Sequence, residues 1–444
     1  MKYLYVLAFM LTMQLSGAQE QAGFSLRDAI NYGLSHNDKV LQARNNLLKA
    51  RKKVWETTAI GLPQIDASAA YQNFIKQPVQ LLPARIFNPQ APDGTYIPVK
   101  FGTDQNMKWS AKLKQLIFNG SYLVGLQSSR TYKKITENAL VKTRQKIKEA
   151  IVSAYGNALL TDESLKIMKK NIAVVEKNLF EVKQMYQNGL VEQTDVEQLQ
   201  ITLSNLKNQF DYLQRMKVVA YQMLNYTLGR LVDAPLHLTD TLDSLKEQSM
   251  QLDLLQKPFV PEKNIDYLMA KNQQKAKKLQ LKYEKSKALP TIAAFVNYGK
   301  NAYNNSFDFF KDNQSWYEQS LFGITVNLPI FSSFGRSAKV KQAKLDYENA
   351  RIAFAAKQKE LTLKYHQTKA ALEHSFKNYK VARQNMALAE KIEHKETIKF
   401  KEGIGNSFQL NQARMQLYQT QQQYLKSIIE IVNNKIALEN LLGL

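Results

Sequence analysis

The sequence predicts a mainly helical α+β membrane protein that contains an internal duplication. Two β-hairpins of one design interrupt a chain that otherwise has helical periodicity. The chain is poor in the residues that end helices, with 17 Gly and 11 Pro among 444 residues. Two long segments carry apolar or small residues at alternating steps of four and three, in the same phase in both copies, which is typical of a left-handed coiled-coil seam.

Residues 1–18 have the composition of a signal peptide. Lys2 precedes an apolar core from Leu4 to Leu15, and Ser16-Gly17-Ala18 supplies the small residues that signal peptidase prefers, so cleavage is expected after Ala18. A short membrane anchor is the alternative, but the apolar core is well under the ~18 residues that a spanning helix needs. The sequence therefore predicts export.

Composition limits the chemistry that the chain can perform. It has no cysteine, which excludes disulfides, thiolate metal sites and a lipid anchor on cysteine. The formal net charge is +23, but the lysines are scattered along helices without a nucleic-acid-binding motif, which favours solvated helix faces over nucleic acid. The five histidines lack metal-ligand spacing, and P-loop and Gly-x-Ser-x-Gly motifs are missing. We therefore expect no enzyme, no metal and no cofactor.

The first repeat is predicted at 19–230. It comprises a helix over about 25–59, a β-hairpin over about 62–118 with a long Pro-rich loop at 72–108, and a helical hairpin over about 121–229. The long helix breaks at Asn188-Gly189-Leu190, where Gly can adopt the left-handed conformation that ends a helix. Its predicted seam includes Ile147, Ile151, Ala154, Ala158, Met168, Val175, Leu179 and Val182.

A partly ordered connector is predicted at 231–261, before the second repeat at 262–444. That repeat has a helix over about 262–287, a β-hairpin over about 289–331 and a helical hairpin over about 336–442. Its seam includes Leu361, Tyr365, Leu372, Ser375, Tyr379, Ala382, Ala389 and Phe400, and its tip is Gly403-Ile404-Gly405. The shorter helices are expected to stack end to end, 191–228 on 262–287 and 407–441 on 25–59, to match the long ones.

The four predicted strands alternate between apolar and polar residues. One face comprises Ile65, Ala67, Ala69, Tyr71, Trp109, Ala111, Leu113, Ile292, Ala294, Val296, Tyr298, Phe322, Ile324, Val326 and Leu328. The other includes Asp66, Ser68, Lys112, Lys114, Asn297, Thr325 and Asn327, with Phe295 as the exception. An apolar outer face with aromatic ends is typical of a lipid-facing barrel strand, although a soluble sheet packed on helices shows the same alternation.

Strand number then constrains assembly. Four strands cannot close a membrane barrel, and an open sheet edge cannot face lipid. Several copies must therefore share one barrel, and three chains with twelve strands are an economical closure with common symmetry.

Three features occur twice in the chain: the Leu-Pro strand entries (Leu62-Pro63 and Leu289-Pro290), the Ile-Phe strand exits (Ile117-Phe118 and Ile330-Phe331) and the hairpin tips. Together they make the chain resemble the TolC family of outer-membrane efflux proteins over nearly the whole mature length. The resemblance implies a homotrimer with a shared 12-stranded transmembrane β-barrel and a trimeric α-barrel of helical hairpins that crosses the periplasm of a Gram-negative cell. It implies docking of a periplasmic adaptor protein and an inner-membrane pump of the RND or ABC type at the tips.

The resemblance also assigns candidate site residues. The adaptor-binding candidates on the two tips are Gly189, Leu190, Val191, Thr194, Asp195, Gly403, Ile404, Gly405, Ser407 and Leu410. Family members often close the aperture with acidic residues after the second tip Gly, but Gln409 and Gln412 stand there, which leaves Asp195 as the acidic candidate. Lys112 and Lys114 are barrel-lumen candidates.

The predicted function is a passive trimeric duct in the outer membrane, the channel component of a tripartite efflux or type I secretion system. Outer-membrane lipid is an expected partner, and nucleic acid is not. The alternative is an exported coiled-coil scaffold without channel activity, in which the tips are ordinary helix-hairpin turns.

Overall fold

The structure is a computed structural model that describes residues 23–250 and 252–444. The predicted signal peptide at 1–18 lies outside the described residues. The described chain is mainly helical, with a smaller β component. It divides into two compact units, of which unit 1 comprises the described residues of 23–48, 135–250, 252–272 and 352–444, and unit 2 comprises Lys49–Lys134 and Gln273–Arg351. Each unit therefore takes segments from both predicted repeats.

The helices follow the predicted order with sharper boundaries. They are α1 (Leu26–His36), α2 (Asp38–Ala59), α3 (Gly120–Gln187), α4 (Gln193–Leu228), α5 (Leu242–Ser249), α6 (Ile265–Ser286), α7 (Gly335–Lys401) and α8 (Ser407–Leu442), with short 3-10 helices at Ala84–Ile86, Leu252–Gln256 and Pro261–Lys263. The first helix predicted at 25–59 is thus two helices, because Asn37 adopts an extended backbone conformation between them.

The strands of unit 2 form one four-stranded antiparallel sheet and a separate two-stranded sheet. The strands are β1 (Gln64–Asn73), β2 (Val79–Pro83), β3 (Tyr96–Lys100), β4 (Gln105–Asn119), β5 (Thr291–Asn304) and β6 (Tyr317–Asn327). The larger sheet has the order β1-β4-β5-β6, which joins the two hairpins side by side and leaves β1 and β6 as edges. The smaller sheet pairs β2 with β3 inside the segment that we expected to be a loop.

The register of the larger sheet places the predicted apolar residues on one face. Ile65 pairs with Leu113, Leu113 with Val296 and Val296 with Phe322, so one row of apolar side chains crosses all four strands. A register shift between Leu116 and Phe118 leaves Ile117 as the extra residue of a β-bulge.

The core of unit 1 is built on the predicted helical seams. In α3 the seam side chains of Ile151, Ala158 and Val175 are fully buried. In α7, Leu361, Leu372, Ser375, Tyr379, Ala382, Ala389 and Phe400 are buried. Because the steps of four and three keep one stripe facing its neighbours, the same phase produces buried rows in both copies.

The short helices join differently from the predicted end-to-end order. The Asn37 side chain, at the start of α2, donates to the Thr227 carbonyl at the end of α4 over 2.8 Å. The equivalent Asn264, before α6, donates to the Leu441 carbonyl at the end of α8 over 2.9 Å. The end of α4 therefore meets α2, and the end of α8 meets α6. The predicted pairing was wrong because total helix length is the same in both arrangements.

The connector at 231–261 is more ordered than expected in the part that the structure describes. It contains α5, and Phe24 forms a parallel bridge with Leu238. The buried Tyr155 hydroxyl donates to the Phe24 carbonyl over 2.8 Å and to the Asp240 carboxylate over 3.1 Å. Burial, with the nearby Asp240 charge, raises the pKa of Tyr155. The connector and the N-terminal segment are thus bound to one side chain of α3.

Candidate functional site

The two helical-hairpin tips of unit 1 have the same backbone geometry. Gly189 and Gly403 both have φ of +73°, in the left-handed region that favours glycine. Leu190 donates its backbone N–H to the Met185 carbonyl over 2.9 Å, and the equivalent Ile404 donates to the Lys399 carbonyl over 3.0 Å. These are the hydrogen bonds of a Schellman helix end, so both turns are fixed by the same physical device.

The residue after each of these glycines is apolar and exposed. Leu190 is 70% exposed and Ile404 is 79% exposed, and Phe408 on the second tip is 63% exposed. Large apolar side chains such as these are most often buried in folded proteins. The tips therefore present apolar residues that have no cover from the described chain.

The following helices begin with different caps. Glu192 and Asp195 form a reciprocal capping box at the start of α4, in which the Glu192 N–H donates to the Asp195 carboxylate over 3.2 Å. At the start of α8, the Asn406 side chain accepts from the Gln409 N–H over 2.8 Å. The first tip thus carries two carboxylates where the second carries amides.

Asp195 also connects the two tips. The Ser407 hydroxyl donates a hydrogen bond to the Asp195 carboxylate, and the same hydroxyl lies 3.2 Å from the Gln198 side-chain oxygen. One helical turn further on, the Thr202 hydroxyl lies 3.0 Å from the Asn411 side-chain oxygen. The predicted acidic aperture candidate is therefore half-buried and bonded between α4 and α8 within one chain.

The other predicted tip residues divide into exposed and buried groups. Thr194, Gln409 and Gln412 are exposed, whereas Val191 and Gly405 are half-buried. Ser407 and Leu410 are buried, and Leu410 belongs to an apolar cluster with Val182, Val196 and Phe400. Leu410 is therefore a core residue beneath the tips, and its side chain is not available to a partner.

Sequence patterns did not indicate the buried charge beneath the second tip. Arg414 is 1% exposed, and its Nε lies 3.2 Å from the Glu393 carboxylate of α7. Its two terminal nitrogens have no hydrogen-bond partner among the described residues. Burial raises the pKa of the neighbouring Tyr418 to about 12. The heptad pattern of the sequence does not distinguish Arg414 from the exposed charged residues of the helices, and only its burial in the structure does.

A groove lined mainly by amide side chains runs between α4 and α8 below the tips. Its volume is about 530 Å³, and it is lined by Met168, Asn171, Gln198, Ile201, Thr202, Asn205, Leu206, Gln209, Asn411, Met415, Tyr418, Gln419, Gln422, Gln423 and Lys426. Lys426 supplies its one charged side chain. Such a surface recognises polar groups by hydrogen bonds and exerts little electrostatic selection.

The polar face of the sheet in unit 2 carries both predicted lumen candidates. Lys112 pairs across the sheet with Asp66 and Asn297, and its Nζ lies 5.1 Å from the centre of the Phe295 ring. Lys114 pairs with Phe295, and both line a concavity of about 970 Å³ together with Lys112. Phe295, the exception in the predicted alternation, lies over Gly323, which has no side chain to displace it.

The described residues contain neither a candidate metal site nor a candidate membrane-spanning helix. Among residues 23–250 and 252–444, no group of His, Asp and Glu side chains has a geometry that can hold a metal ion. In the same ranges, no helix combines the length and apolar character that crossing a membrane requires.

Comparison with known proteins finds one matching family model and a curated relative. Residues 262–444 match the family model of the outer membrane efflux protein. The chain is 23% identical to outer membrane protein TolC of Vibrio cholerae over 248 residues, which are 52% of this chain. That match spans about half of the relative's length, 53%.

The fold is similar to several solved outer-membrane proteins. VceC of Vibrio cholerae superposes with a TM-score of 0.74 at 16% identity and covers 94% of this chain and 96% of its own. CusC gives 0.76 at 15% identity, with 96% and 95% coverage. The CmeC outer membrane channel of Campylobacter jejuni gives 0.71 at 14% identity, with 94% and 85% coverage. At these identities the likeness concerns the fold, and the match to the outer membrane efflux protein family is confined to residues 262–444.

Proposed function

We propose that the chain is the outer-membrane channel of a tripartite efflux or type I secretion system. Three copies form a passive duct that carries small molecules or proteins from a periplasmic adaptor and an inner-membrane pump, of the RND or ABC type, to the exterior. The duct is anchored in the outer membrane of a Gram-negative cell and extends into the periplasm. It performs no catalysis, and its energy comes from the partners.

The observation that carries this proposal is the exposed apolar face of an unclosed four-stranded sheet. Ile65 is 75% exposed, Phe322 67% and Val326 63%. The edge strands β1 and β6 contain 10 and 11 residues, which suits the ~9–11 residues of a tilted membrane-spanning strand. Three such sheets joined edge to edge supply twelve strands and leave no open edge in lipid.

The tips support the assignment of an adaptor. Leu190 and Ile404 are exposed apolar side chains on rigid turns, and the amide-lined groove begins directly below them. A helical partner that presents small apolar residues and polar groups fits this surface. The pump determines which substrate enters the duct.

Fractionation provides the first test. We expect the chain to require detergent for extraction and to migrate as a heat-modifiable trimer, with a native mass of three chains. A scaffold protein without channel activity is extracted without detergent, and that result would overturn the proposal.

The tips are tested by replacing Gly189 and Gly403 with Val. A β-branched residue is strained at a φ of +73°, so both turns are distorted while the sheet is untouched. We expect export to be lost and trimers to remain in the outer membrane. Export that survives both changes shows that the tips are ordinary turns.

The lumen assignment is tested by changing Lys112 and Lys114 to Gln. In planar bilayers, the wild-type reversal potential should favour anions, and the double variant should lose this preference. A wild-type channel that favours cations would count against a lumen lined by these lysines.

A further inference from the structure

Positive charge is distributed unevenly between the two compact units. Unit 2 contains 26 Lys and Arg against 10 Asp and Glu, whereas unit 1 contains 35 against 28. The excess in unit 2 is therefore more than twice that of unit 1, although unit 2 is the smaller. A concentration of charge on one part of a protein indicates a local role, because solubility alone does not require it.

Part of this charge forms an ordered stripe on α6. Lys275, Lys278, Lys282 and Lys285 follow each other at steps of three, four and three, which places them within an arc of roughly 80° at about 100° per residue. All four are exposed, and their side chains have no ion pair or hydrogen bond within residues 23–250 and 252–444. Lys277, by contrast, pairs with Asp346 over 2.9 Å. We call these four residues the lysine stripe.

The lysine stripe points away from the polar concavity of the sheet. Tyr283, on the same helix, lines that concavity. At about 100° per residue, Lys282 lies roughly 100° and Lys285 roughly 200° round the helix from Tyr283. The lysine stripe therefore lies on the side of α6 that is turned away from the polar face of the sheet.

An aromatic anchor on α2 lies on that side too. Trp55 is 63% exposed, and it lies roughly 200° round α2 from Thr57, which lines the concavity. Trp55 precedes the last residue of its helix by four positions, as Lys282 precedes Ser286, so both lie about 6 Å before their helices end, and the strands begin five residues after each end. Trp beside Lys at the end of an apolar surface is typical of a membrane–water interface.

We propose that the lysine stripe binds anionic phospholipid headgroups of the periplasmic leaflet of the outer membrane. This inference rests on the proposed function, since it needs the sheet to lie in a bilayer. The four ammonium groups are complementary to phosphate. Lys282 and Lys285 lie within about 6 Å of the end of α6, inside the ~8 Å over which electrostatic attraction to a headgroup layer falls off, and Lys278 and Lys275 extend the stripe to about 12 and 17 Å from that end. The apolar strand face on the same side supplies the adjoining contact with acyl chains.

Native mass spectrometry of the detergent-solubilised full chain tests the proposal, with phosphatidylglycerol and phosphatidylcholine as probes. We expect the wild type to prefer phosphatidylglycerol. The variant Lys275→Gln, Lys278→Gln, Lys282→Gln, Lys285→Gln should bind it about tenfold more weakly or worse, with phosphatidylcholine unchanged. The control variant replaces Lys377, Lys380, Lys391 and Lys395 of α7 with Gln, which are exposed in unit 1, and removes the same charge. The control should retain the preference.

Three results would overturn the inference alone. In the first, the stripe and control variants weaken phosphatidylglycerol binding equally, which would show that only net charge matters. In the second, the stripe variant reduces the anion selectivity of conductance, which would place the lysines in the lumen. Preferred binding of anionic peptidoglycan fragments by the stripe identifies a different partner. A chain that forms no detergent-dependent trimer overturns the proposed function, and the inference with it.

Discussion

The two hairpin tips have the same backbone geometry but different side chains. Gly189 and Gly403 share a φ of +73°, and the hydrogen bonds that end α3 and α7 are equivalent. The first tip continues with Glu192 and Asp195, whereas the second has Asn406 and Gln409 at the equivalent positions. The two turns therefore share one geometry and differ in the side chains that follow them.

The divergence extends into the helices below. The second hairpin buries Arg414 against Glu393, and the positions 214 residues earlier hold the exposed Gln200 and the buried Leu179. At this position the first hairpin buries an apolar side chain, and the second buries an ion pair. A buried pair is costly to break because the remaining charge is left without compensation.

The largest difference between the hairpins is expected from Glu393→Leu, which copies the first hairpin onto the second. It leaves Arg414 buried and unpaired, so we expect a loss of about 3 kcal/mol of unfolding free energy. The double variant Glu393→Leu, Arg414→Gln should recover most of that loss. Thermal and denaturant unfolding of the detergent-solubilised protein measure both. Equal stability of the single and double variants would show that Arg414 is hydrated or paired elsewhere.

The second-largest effect is expected at Asp195. Asp195→Ala removes a helix cap and the bond from Ser407, which should cost about 1–2 kcal/mol and increase proteolysis at the tips. Gln409→Ala is the matched control at the equivalent exposed position, and it should stay within about 0.5 kcal/mol. If both variants behave alike, the link between the tips does not stabilise them.

A smaller and equal effect is expected from Gly189→Ala and Gly403→Ala. Neither glycine has a heavy atom within 4 Å of an added Cβ, so the penalty comes from the left-handed backbone alone, about 1 kcal/mol at each. Asn at either position should lose less, because it tolerates this conformation. Unequal losses in urea unfolding would show that the two turns differ in stability despite their common geometry.

The smallest effect concerns alkaline pH in the second hairpin. Burial raises the pKa of Tyr418 to about 12, so the folded state favours the neutral hydroxyl. The stabilisation is complete below the ordinary tyrosine pKa of about 10 and is lost as pH rises through about 12. Tyr418→Phe should therefore reduce the decline in melting temperature across this range. Tyr212→Phe in the first hairpin, where the side chain is 61% exposed, should leave the decline unchanged.

Periodic features were predictable from the sequence. The seams, the tip glycines and the alternation of the strands repeat in two copies, so each copy supported the other. Long-range pairings were not predictable, because one side chain decides them. The bond from Asn37 to the Thr227 carbonyl joins α2 to α4, and no local pattern distinguishes that Asn from others. Burial of Arg414 and the link from Ser407 to Asp195 depend in the same way on packing between distant segments.

The open edges of the sheet also affect how a mixed population of chains behaves. In the shared barrel that we propose, strands β1 and β6 each pair with an edge of another copy, so every subunit contributes to two joints. A subunit with a damaged β6 edge can still offer a sound β1 edge and enter the ring. Such a variant should be dominant-negative in cells that also make the wild type, even when it is the minor species.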